Sequence, residues 1–148
     1  RRAAHARPGD HSAVVLLSAV VPSARGVVVR MRIGLAVSVR VAGRVVHRLS
    51  VLDARMRRTG GVRSLEVTLA NRGNVAETIG AGGLRIALIR GGRVVAHSSL
   101  PRRELLPGSR GVVRLRVPQR ISGLTLARVR LRRPGHADWV ERRFRLRL

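Results

Sequence analysis

The sequence has no cysteine, no lysine and no tyrosine, and it holds a single tryptophan and a single phenylalanine. Lack of cysteine excludes disulfides and thiolate metal sites. It does not decide the compartment. Lack of aromatics leaves Val, Leu, Ile and Ala to build the core, and richness in Val favours strands. It also removes the ring platforms on which nucleic-acid binders stack bases, worth ~1–3 kcal/mol per base, and those of ring-stacking lectins. Long apolar runs are missing too: the run Ala13–Val21 (AVVLLSAVV) falls far short of the ~20 residues of a membrane span.

What is present is cationic and strand-like. The chain has 148 residues, room for one sandwich of ~100 residues and part of a neighbour. Its 45% hydrophobic content fits a folded domain in spite of a net charge of +24. All 31 basic residues are arginine, as a GC-rich codon bias would produce. That bias explains the residue type, but the surplus charge still repels itself or attracts anions such as nucleic acid, an acidic membrane or an acidic wall polymer.

The basic start, the run Ala13–Val21 and Pro22-Ser23-Ala24 loosely follow a signal peptide. Asp10, the turn residues Pro8-Gly9 and the strong strand downstream favour a buried β-strand instead. The chain does not begin with Met, so its natural N-terminus is expected upstream. From Val27 to Val41, Val29, Met31, Ile33, Leu35, Val37 and Val39 share one parity and Arg30, Arg32, Ser38 and Arg40 the other. This predicts one long strand with a bend or bulge near Gly34, paired with Ser12–Val20 across Val21–Gly26 as a hairpin.

A second series follows. Val45–Ala54 reads as a strand that ends before a polar turn at Arg57–Gly61. In Val62–Asn71, Leu65, Val67 and Leu69 face in and Ser64, Glu66 and Thr68 face out. Asn71-Arg72-Gly73-Asn74 is a turn of residues that tolerate positive φ. Val75–Ile79 comes next, and Gly80-Ala81-Gly82-Gly83 is a flexible turn before Leu84–Arg90. Gly91-Gly92 is a two-residue hairpin turn into Arg93–Ser98. Leu100–Arg110 is a connection, and Gly111–Val117, Leu124–Arg132 and Trp139–Leu148 complete the set. Alternating strands without helical periodicity predict an all-β protein, an antiparallel Ig-like β-sandwich over 43–148, with a barrel as the alternative. Residues 1–42 hold a preceding β-hairpin.

The pleat places the arginines on the side away from the core. Arg114 and Arg116 oppose Val113, Leu115 and Val117; Arg128 and Arg130 oppose Ala127, Val129 and Leu131; Arg143, Arg145 and Arg147 oppose Phe144, Leu146 and Leu148. These seven are the candidate polyanion contacts, chiefly on the hairpin formed by the last two strands across Arg133–Asp138. There, outward arginines meet one another and Glu141 relieves one contact. Arg142 has the wrong parity for the surface and predicts a bulge near Glu141.

Catalytic chemistry finds no footing. The histidines His5, His11, His47, His97 and His136 lie singly on the surface with no ligand spacing, and the glycine-rich turn lacks the Lys-Ser/Thr of a phosphate loop. His97 and Ser98 are adjacent and point to opposite faces. Trp139 and Phe144, of opposite parity, also lie on different faces. No catalytic, cofactor or metal residue is assigned, and the chain is read as a non-enzyme that binds nucleic acid only non-specifically, through phosphates.

Several segments resemble a known family. Leu65–Asn74 (LEVTLANRGN) and Leu105–Gly111 (LLPGSRG) resemble the strand–turn and Pro-Gly-Ser signatures of bacterial Ig-like surface domains. Pro8–Leu16 (PGDHSAVVL) followed by Val27–Val41 resembles the closing hairpin of the WxL-protein peptidoglycan domain. In that order they resemble the WxL-interacting surface proteins of Gram-positive bacteria, a resemblance that implies residues 1–42 are the C-terminal hairpin of an incomplete upstream Ig-like domain and 43–148 a second Ig-like domain. The resemblance implies a non-catalytic surface module outside the membrane, structural or adhesive, with a wall polymer or a surface protein as partner and a membrane anchor outside this segment. Trp139-Val140-Glu141 is not a WxL motif, and no peptidoglycan-contact residue carries over.

Overall fold

The computed structural model describes residues 6–22, 28–80, 82–98, 100–132 and 138–148. They form eleven strands: β1 (Gly9–Pro22), β2 (Val28–Val41), β3 (Leu49–Thr59), β4 (Val62–Asn71), β5 (Glu77–Ile79), β6 (Leu84–Arg90), β7 (Arg93–His97), β8 (Arg103–Leu105), β9 (Arg110–Arg116), β10 (Leu124–Arg132) and β11 (Trp139–Arg147). All pairings are antiparallel, and no helix occurs among the described residues. The chain divides into two compact units, Arg1–Arg44 and Val45–Leu148.

In the first unit β1 and β2 make a ribbon whose ladder runs unbroken from Gly9↔Val41 to Pro22↔Val28. At its open end Arg40 grips Asp10 with two donors, Nε to Oδ1 at 2.5 Å and Nη2 to Oδ2 at 2.8 Å. Of the bend or bulge expected near Gly34, the bulge is absent: Gly34 stays in register with Leu16. A ribbon twists freely without a covering layer, so a long strand needs no break to stay paired. For the same reason the expected burial of Ala13–Val21 does not occur among its described side chains; Val14, Leu16 and Leu17 are exposed. The connection at 23–27 lies outside the described residues.

The second unit is a two-sheet, sandwich-like fold rather than a barrel. One sheet has the order β11-β10-β6-β7, the other β3-β4-β9, and β5 pairs with β8. Their inner faces share one core, in which Leu65, Val67 and Leu69 of β4 meet Ile86 and Leu88 of β6 and Ala127, Val129 and Leu131 of β10. Each such Val, Leu or Ile contributes ~1.5–3 kcal/mol on burial. Glycine pairs close two of the hairpins. Gly60-Gly61 (φ 54° and 77°) joins β3 to β4, and Gly91-Gly92 (φ 53° and 76°) joins β6 to β7. Two successive positive φ values give the turn whose twist suits a hairpin.

The structure corrects several local expectations. The strand expected over Val45–Ala54 begins at Leu49 and continues through Arg57 and Arg58 to Thr59. A bulge makes this possible: Val51 pairs with Leu69 and Asp53 with Thr68, which leaves Leu52 as the extra residue. The pleat is thereby re-phased, so that Val51 and Ala54 both face the core and Asp53, Arg55 and Arg57 face out. Upstream, Val46 is held by a loop instead of a ladder, its N–H donating to Asn74 Oδ1 at 2.7 Å. The connection Leu100–Arg110 contains the short strand β8. No bulge occurs near Glu141, since β11 pairs with β10 residue for residue. Arg142 therefore keeps its inward parity opposite Val129 but is exposed, because an edge strand lets a long stem carry its charge out to water.

Candidate anion-binding face

Register decides which arginines become neighbours. On the outer face of the β11-β10-β6-β7 sheet, Glu141, Arg130 and Arg85 form one cross-strand row. The next row holds Arg143, Arg128 and Ala87, with His97 beyond on β7. Arg145 then stands opposite Leu126, and Arg147 opposite Leu124. With Arg132, this face carries seven arginines against one carboxylate, Glu141. That carboxylate accepts a hydrogen bond from Arg143 Nε at 2.5 Å and lies 3.8 Å from Arg130 Nε. The Arg143 bond first, and the charges of Arg143, Arg128 and Arg130 after it, hold Glu141 below the usual carboxylate range against the opposing effect of desolvation.

Trp139 gives this face a corner of its own. The guanidinium of Arg85 lies 4.9 Å from the centroid of the indole ring and that of Arg130 lies 5.3 Å from it. Both distances are within cation–π range. The Nε of Arg130 is buried and has no hydrogen-bond partner. Phe144, of opposite parity, packs against the core.

The other two candidates, Arg114 and Arg116, lie on the outer face of the β3-β4-β9 sheet, apart from the other five. Charge there is partly neutralised, by two carboxylates. Glu66 accepts from Arg114 Nε at 2.8 Å and lies 3.4 Å from Arg57 Nε, while Asp53 lies 3.1 Å from Arg55 Nε. The Arg114 hydrogen bond is the main reason the Glu66 carboxyl sits below its ordinary range, with desolvation opposing it. Arg85 was not among the sequence candidates. Its outward parity between Leu84 and Ile86 was readable, but only the order β10-β6 sets it beside Arg130.

A second polar cluster serves the fold. Buried Asn71 donates through Nδ2 to Val75 O (2.7 Å) and Leu105 O (2.9 Å), and its Oδ1 accepts from Gly73 N at 2.9 Å. Gly73 is needed for closeness rather than for positive φ, because a Cβ there would come within 2.2 Å of Val46 O. His47, expected as an isolated surface histidine, pairs through Nδ1 with the buried Glu77 at 3.0 Å. His5 and His136 lie outside the described residues. A groove of about 510 Å³ beside β9, between Leu100–Leu105 and Gly111–Arg114, contains the single carboxylate Glu104. Among the described residues no group of three or more metal-ligating side chains converges, and no helix is long and apolar enough to cross a membrane.

Comparison with known proteins finds no matching family model, curated protein or solved structure.

Proposed function

We propose that this chain is a non-catalytic, Ig-like module of a bacterial cell surface that contributes to wall association by holding an acidic wall polymer on its β10–β11 face. The observation that carries the reading is the collection of seven arginines around one carboxylate on a single sheet face. Arginine fixed on paired strands loses less freedom on binding than arginine in a flexible tail, and its planar fork suits phosphate and carboxylate oxygens. The resemblance to WxL-interacting surface proteins supports a location outside the membrane. Acidic polymers of a Gram-positive wall are anions within reach of such a module.

The test is retention on isolated Gram-positive walls at physiological salt, before and after chemical removal of their anionic polymers. Retention that depends on those polymers and is lost in the double variant Arg143→Glu/Arg145→Glu is expected. Absent retention counts against the reading. Tighter, salt-resistant binding to DNA would replace it with the nucleic-acid alternative.

A further inference from the structure

We infer that the Arg85–Trp139–Arg130 corner is the anchoring oxyanion subsite of this face, and that it takes a phosphate of a base-free phosphodiester chain. The inference rests on the polymer-binding reading above and names the atoms and ligand chemistry that reading leaves open. Arg85 and Arg130 are direct cross-strand partners on one face, a placement that like charges resist. The Trp139 ring holds both guanidiniums within cation–π distance, so their remaining N–H donors are pre-oriented. Arg130 Nε is a buried donor with no hydrogen-bond partner, and Glu141 at 3.8 Å is too far to accept from it. The rest of the Arg130 side chain is part-exposed, so a phosphate seated at this corner accepts from the outward N–H donors of both guanidiniums and screens the repulsion between them.

From that corner the cations continue diagonally: Arg85 on β6, Arg130 and Arg128 on β10, then Arg143, Arg145 and Arg147 on β11. Row to row along the strands this spans about 20 Å, and successive outward arginines on one strand recur every ~6.8 Å. Such a track suits an extended chain with an oxyanion in every repeat. Bases gain nothing here, because the ring on this face is already occupied by Arg85 and Arg130 and Phe144 packs toward the core. The favoured occupant is therefore a flexible polyol phosphate rather than a nucleic acid.

Trp139 is the chain's single tryptophan, so its emission reports on this corner alone. The experiment titrates the protein with polyglycerol phosphate, with single-stranded DNA of equal phosphate number and with inorganic phosphate. It compares wild type, Arg85→Gln, Arg128→Gln and Arg116→Gln, with thermal unfolding to confirm folding. Polyglycerol phosphate is expected to shift the emission and to bind more tightly than either other probe. Loss of one charge-assisted contact should weaken it about tenfold in Arg85→Gln and Arg128→Gln, with little change in Arg116→Gln on the opposite face. Equal losses in Arg85→Gln and Arg116→Gln overturn the subsite, and so does tighter binding of DNA. If walls retain the protein while the emission ignores polyglycerol phosphate, the subsite fails and the broader reading stands; without wall retention, the broader reading fails first.

Discussion

Arg128 on β10 and Arg143 on β11 are direct partners in the ladder, two like charges placed opposite each other on the same outward face. The sheet tolerates them because Arg143 turns its Nε to Glu141, two residues away on its own strand. Arg128 makes no such bond among the described residues, which makes it the more dispensable member for stability and the more available one for a ligand.

Replacing Arg128 by Gln should therefore stabilise the fold by up to about 1 kcal/mol at low salt, a rise of several degrees in Tm. Added salt should shrink the gain, since mobile ions already screen exposed charges. Thermal melts of both proteins at low and high salt measure this; a destabilised variant would contradict the like-charge account.

The Asn71 clamp makes a second prediction. Asn71→Ala removes the donor to two main-chain carbonyls, of Val75 and Leu105, and should cost about 2–3 kcal/mol. Gly73→Ala should cost a comparable amount for a different reason, since its Cβ would collide with Val46 O and push apart the Asn74–Val46 contact. Urea unfolding of the two single variants and the double variant should show less than additive losses, because both act on one loop.

Acid should weaken this fold. The carboxyls of Glu66 and Glu141 are held below their ordinary range, chiefly by hydrogen bonds from Arg114 and Arg143. A group with a depressed folded pKa contributes stability above its unfolded pKa and loses it as pH falls through the folded value. Stability should therefore decline as pH drops below the usual carboxylate range, and Glu66→Gln should flatten part of that slope while lowering stability at neutral pH. Denaturant midpoints across the acid range test the sign.

The bulge at Leu52 predicts a contrast between neighbours. Val51 is buried and Leu52 is the extra, exposed residue. Val51→Thr should cost about 1–2 kcal/mol by placing a hydroxyl in the core, whereas Leu52→Thr should stay within about 0.5 kcal/mol. Equal costs would mean that β3 and β4 pair in another register.

Much of the second unit was legible in the sequence. Val62–Asn71, Leu84–Arg90 and Leu124–Arg132 have the bounds their alternation predicts, since each buries one face and leaves the other to water. The miss at β3 has a local cause: a bulge shifts parity by one residue, so Val51 and Ala54 face inward together and the alternation breaks in the sequence. The short strand β8 lacked enough residues to show any period. In the candidate site, the outward set Arg128, Arg130, Arg143, Arg145 and Arg147 was readable from parity, and so was the outward parity of Arg85, but not its place beside Arg130.

The sequence by itself determined that this protein is made of strands with a greasy side and a cationic side, because alternate residues on a pleated chain point in opposite directions. Beyond the hairpin partners, only the tertiary structure decided which strands lie side by side. That choice separates Arg114 and Arg116 from the other candidates and brings Arg85 and Arg130 to Trp139. The physical reason is that outward parity is fixed within one strand by its pleat, whereas neighbours on a sheet are fixed by hydrogen bonds between segments far apart in the chain.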